Sequence, residues 1–184
     1  MKYPRFTILI VILALLFVAS TATAGDAPFF FVQISDPQLG FASKGTDLTP
    51  EIEHLTQAIQ AVNRLKPAFV IITGDTVNEP HDPTQIRVFW RLAHEISPDI
   101  PLRIVPGNHD VAAGTSADIK SYHKLYGDDH YAFSHNGSRF IVLNSGLFGK
   151  SASQALRDEQ RKWFESELAA ARAGNAANIF VCGH

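Results

Sequence analysis

Cysteine is nearly absent. Cys182 is the only one in 184 residues, so no internal disulfide framework holds this fold together. It lies in an apolar run, where a buried free thiol is expected rather than a reactive one. No basic patch stands out and the formal charge is −2, so nothing points to nucleic acid as a standing partner. There is no internal repeat and no low-complexity tract. A Gly-x-Ser-x-Gly elbow is also lacking, and Cys182 has no evident base partner, which leaves little room for a metal-independent hydrolase.

The first 24 residues read as a signal peptide. Lys2 and Arg5 precede an apolar stretch from Phe6 to Ala19, and Ala22-Thr23-Ala24 ends it with small residues. The apolar stretch falls short of the roughly 20 residues of a transmembrane span, which leaves an uncleaved anchor as the alternative reading. Cleavage would leave Gly25 as the new terminus, with no stable membrane anchor and a periplasmic or secreted product. Residues 25–184 then form one domain with a sizeable core, and losing Lys2 and Arg5 takes the charge to −4.

Within that domain, Phe29 to Ile34, Ala68 to Thr73 and Leu102 to Val105 are near-continuous apolar runs. Such runs suit strands of a parallel sheet buried under helices. Between them, Thr49 as N-cap with Pro50 at the first helical position opens a helix to about Leu65. Ile86, Phe89, Trp90 and Ala93 mark a second helix, giving a βαβαβ array. Tyr131-Ala132-Phe133 and Phe140 to Leu143 flank Asn136-Gly137, a strong hairpin signal. Asn136-Gly137-Ser138 is also a glycosylation sequon, which the turn explains without glycan. Leu156, Trp163, Phe164, Leu168 and Ala171 make one helical stripe with Gly174 as its stop, and Ile179 to Cys182 is the last strand.

Each strand-like run is followed at its carboxyl end by polar residues: Asp36, Asp75, Asn108 and His184. In an open α/β sheet, ligands gather in the crevice at that edge. Carboxylates, an amide oxygen and an imidazole form a mixed O/N set suited to Mn, Fe, Zn or Mg. Gly74 and Gly107 allow sharp turns before these side chains. Singly, each motif is an ordinary turn: Asp36 would cap a helix and Asn108 would hold a left-handed backbone. The fourfold recurrence of strand then ligand favours the metal site. His54, His81, His94, His123, His130 and His135 read as surface or partly buried polar residues, with His81 in a loop bordering the crevice. Trp90 and Trp163 read as core.

Asp36-Pro37-Gln38, Gly74-Asp75-Thr76-Val77-Asn78, Gly107-Asn108-His109-Asp110 and His184 resemble, in order, the first four motifs of the calcineurin-like metallophosphoesterases. Asn144-Ser145 after a strand, and Gln160 with Trp163-Phe164, are similar to that family too. The resemblance implies an α/β/β/α sandwich and a phosphoester hydrolase with two divalent ions, Mn favoured, that activate water. Asp36 would bind the first ion, Asp75 would bridge, and Asn108 with His184 would bind the second. His109 would stabilise charge or protonate the leaving oxygen, with Asp110 orienting it. The substrate would be a small phosphomonoester or phosphodiester: a small molecule, nucleotide or lipid headgroup.

Two departures from the family pattern stand out. The first motif usually reads Asp-x-His, and Gln38 occupies the histidine position, where an amide oxygen is a poorer donor to zinc or iron. The last motif, Gly-His-x-His, is not in the chain. The resemblance therefore implies a domain 25–184 truncated at its C-terminal end, with sandwich strands missing. The competing reading is an inactive fragment or pseudoenzyme that binds metal, phosphate or a partner. The loops Leu39 to Leu48, His81 to Gln85 and Val111 to Lys120 would set specificity.

Overall fold

The computed structural model describes residues 28–111, 114–149 and 152–184. The expected signal peptide lies outside the described residues. Three parallel strands, β1 (Val32–Ile34), β2 (Val70–Thr73) and β3 (Leu102–Val105), form one sheet in that order. The crossovers are α1 (Thr49–Leu65) and α2 (Pro83–Ala93). A second sheet pairs β4 (Tyr131–His135) antiparallel with β5 (Ser138–Val142), and β5 parallel with β6 (Asn178–Cys182). In the chain, the short α3 (Asn108–Val111) and α4 (Ser116–Tyr126) come between β3 and β4. A 3₁₀ turn (Ser145–Phe148) and α5 (Gln154–Ala173) link β5 to β6.

The alternation of side chains along a strand creates the layers. On β2, Val70 and Ile72 face Leu55, Ile59 and Val62 of α1 and Phe89 and Leu92 of α2. Ile71 and the preceding Phe69 face the other way, onto Phe140 and Val142 of β5. The inter-sheet layer is rich in rings: Phe69 and Phe140 meet edge-to-face at 5.1 Å, and Phe133 stacks on Phe140 at 4.9 Å. On the far side of the second sheet, Arg139 of β5 pairs with Glu167 of α5 at 2.5 Å. The result is helices, sheet, sheet, helix, as expected.

Local details depart from the sequence reading. Only β2 is buried along its whole length; β1 and β6 are edges, with Phe30, Phe180 and Val181 exposed. Thr49 is the first helical residue rather than the N-cap, and its amide is held by Asp47 Oδ1 at 2.9 Å. The 111–120 segment is not all loop, because Thr115 and Asp118 form a capping box that starts α4. Cys182 is partly buried against the inter-sheet cluster, and burial pushes its thiol pKa up, which suits an inert residue. Among the described residues, no helix is long and apolar enough to cross a membrane.

Candidate metal centre

The first sheet delivers three motifs to one edge. β2 ends at Thr73, and Gly74 and Asp75 follow with φ of +87° and +48°. That left-handed pair turns the buried Asp75 into the crevice. Gly107 serves a different need from the turn expected of it. Its φ is not left-handed, but a Cβ there would lie 2.1 Å from Asp75 Oδ1 and 2.2 Å from the Asp75 nitrogen. Asp75 fits because Gly107 has no side chain.

After β1, Asp36 and Gln38 both take positive φ, 51° and 35°. The Gln38 amide donates to the Asp75 carbonyl at 2.8 Å, and Leu39 bridges to Val77, so the first motif is sewn to the second. Asp36 therefore caps no helix; its carboxylate accepts the Ser35 hydroxyl. Asn108 opens α3 in helical backbone, which removes the left-handed reading.

His184 closes the arrangement. Its Nδ1 lies 3.0 Å from the Thr73 carbonyl, which can only accept, so Nδ1 carries the proton. Nε2 lies 3.1 Å from Asn108 Oδ1 and 3.4 Å from Asp75 Oδ2. Asp36 Oδ1 lies 3.8 Å from Nδ1. Asp36, Asp75 and His184 each offer a ligand atom, all within 4.8 Å of one another. Carboxylate oxygens, an amide oxygen and an imidazole nitrogen thus converge as a mixed O/N donor set for a divalent cation. The donor chemistry fits one.

His109 and Asp110 part company. The His109 amide donates to Asp75 Oδ1 at 2.8 Å, and its ring Nδ1 donates to the Asn78 carbonyl at 2.7 Å. Asp110 is buried and accepts from Thr76 N (2.9 Å), Thr76 Oγ1 (2.6 Å) and Gly107 N (2.9 Å). Burial raises its pKa, against the hydrogen bonds from Thr76 and Gly107. The ring-orienting partner is thus Asn78 rather than Asp110, which instead ties the second motif to the third.

The Calcineurin-like phosphoesterase family profile matches residues 31–184. This chain belongs to that family. Among its curated relatives is the bovine (Bos taurus) serine/threonine-protein phosphatase CPPED1, 35% identical over 83% of this chain and 55% of the relative. A probable glycerophosphodiester phosphodiesterase GpdQ from Arcobacter nitrofigilis is 28% identical over 74% of this chain and 50% of its own length. The chain spans about half the length of the curated relatives it matches. Two solved structures share the fold at 16% identity. One is a purple acid phosphatase from yellow lupin (TM-score 0.62, covering 87% of this chain and 31% of that one). The other is a dimetal phosphatase from Danio rerio (TM-score 0.59, covering 85% and 69%).

Around the family motifs lie residues that sequence reasoning passed over. Thr73 and Asn78 act through backbone carbonyls, which no residue type announces. Asp129 is buried and gathers His123 Nε2 (2.8 Å), His130 Nδ1 (3.1 Å) and Asn144 Nδ2 (2.9 Å). Two histidines expected to be bland therefore share one carboxylate. The signal available was their spacing around Asp129, in and just after an amphipathic helix. His54, His81 and His94 are exposed, as expected of them. Trp90 and Trp163 are only partly buried, Trp163 edge-on to His130 at 4.7 Å.

Proposed function

We propose that this chain carries the site of an exported, two-metal phosphoester hydrolase. The convergence of Asp36, Asp75, Asn108 and His184, with Nδ1 of His184 engaged by the Thr73 carbonyl and Nε2 facing Asn108 and Asp75, carries that reading. Asp36 and Gln38 would hold one ion, Asn108 and His184 the other, with Asp75 between them. When bound, two divalent ions clamp a phosphate and lower the pKa of an attacking water.

The chain's own residues do the rest. Asp75 is fixed by the His109 amide. With Nδ1 engaged by Asn78, the His109 Nε2 would be left to stabilise charge on the phosphate or, when the ring carries both protons, to give one to the leaving oxygen. The amide at Gln38 tilts the first position from zinc toward Mn²⁺ or Mg²⁺. The substrate class is a phosphomonoester or phosphodiester, supported by relatives named as a serine/threonine-protein phosphatase and as a probable glycerophosphodiester phosphodiesterase. A small substrate is the expectation from the sequence. The basic, apolar and Ala22-Thr23-Ala24 segments support export to the periplasm or beyond.

The test uses protein expressed from its complete reading frame, with p-nitrophenyl phosphate and its bis-ester in Mn²⁺. Turnover of at least one ester, abolished by chelator and by Asp75→Asn, is the expected result. Turnover indifferent to both, or none with either ester, rejects the reading. Export is checked by terminal sequencing of the native product, expected to begin at Gly25.

A further inference from the structure

We infer that Ser145 is a positioning residue: its hydroxyl clasps the backbone of His184 and so aims the imidazole into the metal centre. This rests on the two-metal reading above.

The need for a clasp follows from the sheet. β6 pairs with β5 only as far as Cys182, opposite Val142, and the next ladder bond runs from the Leu143 amide to the Cys182 carbonyl at 2.9 Å. His184 lies two residues further on, where the β5 chain has already turned into the 3₁₀ segment. At that point a side chain continues the ladder. Ser145 Oγ donates to the His184 carbonyl at 2.7 Å and accepts from the His184 amide at 3.1 Å. One hydroxyl thus satisfies both backbone groups of the residue whose ring must reach Asn108 and Asp75.

Ser145 is itself held from behind. The neighbouring Asn144 is buried and bonded through three groups. Its amide meets Gln160 Oε1 at 2.8 Å, its carbonyl meets Gln160 Nε2 at 3.1 Å, and its side chain reaches Asp129 at 2.9 Å. Gln160 is wholly buried on α5, although it sits in an otherwise apolar stripe. A buried glutamine bonding both backbone groups of one residue fixes that residue's peptide planes. α5 and Asp129 therefore brace the turn, and the turn holds His184. Such supporting contacts set ligand orientation, and their loss lowers metal affinity by about 10–100-fold.

Ser145→Ala removes the clasp, Ser145→Cys keeps the volume with a weak hydrogen-bonding group, and Ser145→Thr keeps the hydroxyl. Two readouts are taken on each: Mn²⁺ binding, by counting free ion with electron paramagnetic resonance, and the His184 imidazole ¹H–¹⁵N signals in metal-free protein, assigned with His184→Asn. Ala and Cys should weaken one Mn²⁺ by roughly 10–100-fold and move the His184 ring from its fixed Nδ1–H form to a mixture. Thr should restore both. Wild-type affinity and wild-type ring signals in Ser145→Ala would overturn the proposal. If that variant melts far below wild type, Ser145→Cys decides. Wild type that binds no Mn²⁺ rejects the two-metal reading, while the ring signals still judge the clasp.

Discussion

Asp75 occupies the space that a side chain on Gly107 would need. A Cβ there would meet Asp75 Oδ1 at 2.1 Å and its backbone nitrogen at 2.2 Å, so the third motif can lie against the second only while position 107 is bare. Gly107→Ala should therefore push Asp75 out of the centre. Overpacking of this kind costs about 1–3 kcal/mol, seen as a lower Tm in metal-free protein, together with weakened Mn²⁺ binding. Gly74→Ala differs in kind. It meets the His184 ring at 2.3 Å and strains a φ of +87°, so His184 ring signals should move further there than in Gly107→Ala, where Asp75 is displaced first. Identical spectra for the two variants would contradict this division.

His109 and Asp110 are adjacent but should fail differently. Asp110 accepts three hydrogen bonds from Thr76 and Gly107 in a buried place, so Asp110→Asn turns an NH₂ against a donor. The expected cost is about 1–3 kcal/mol of stability, measured by urea unfolding. His109→Asn can still donate to the Asn78 carbonyl and should melt close to wild type. Phosphoester turnover by the complete protein should nevertheless fall by roughly 10²–10⁴-fold, the usual contribution of a positioned proton donor. Parallel losses of stability in both would count against separate roles.

The layers were legible because apolar runs and helical spacing mark them directly, and the meeting of Asp36, Asp75, Asn108 and His184 at one sheet edge because each follows a strand end. What escaped was carried by backbone atoms or by context. The Thr73 and Asn78 carbonyls hold two imidazoles, yet any residue could supply a carbonyl. Gln160 and Asn144 stood out by resemblance, but in an apolar stripe nothing local says that Gln160 turns inward to bond Asn144. The α4 helix is an exception of another kind, since Thr115-x-x-Asp118 is a readable capping box that went unused. Gly107 was read as a turn when its role is room, a distinction only the three-dimensional approach of Asp75 reveals.

Gln38 gives a prediction about metal choice. Its backbone is locked beside Asp75, with the amide 2.8 Å from the Asp75 carbonyl, so a substitution there changes the side chain and not the frame. Gln38→His should raise zinc affinity relative to Mn²⁺, because imidazole suits zinc better than an amide oxygen does. Metal content after equilibration in equimolar Zn²⁺ and Mn²⁺ reads this out. Equal zinc occupancy in wild type and variant would defeat it.

The Asp129 cluster should make stability depend on pH. Burial raises the Asp129 carboxyl, but hydrogen bonds from His130, Asn144 and His123 more than offset it and hold its pKa well below the usual carboxylate range. The bond to Asp129 raises the pKa of His130, against partial burial, with Glu159 and Asp128 adding to the effect. The two signs work in opposite directions along the pH axis. Stability from a depressed carboxylate is present above its unfolded pKa, about 3.9, and is lost as pH falls through the folded value. Stability from a raised histidine is complete below about 6.5 and disappears as pH rises through the folded value. Both are present together only in mildly acid solution. Wild type should exceed Asp129→Asn in Tm by the largest margin near pH 5. That margin should narrow by roughly 2–4 °C by pH 8.5 in metal-free protein, as the His130 contribution is lost. A margin that is flat from pH 5 to 8.5 would mean that Asp129 does not favour the protonated form of His130, and that the carboxylate serves only to hold Asn144.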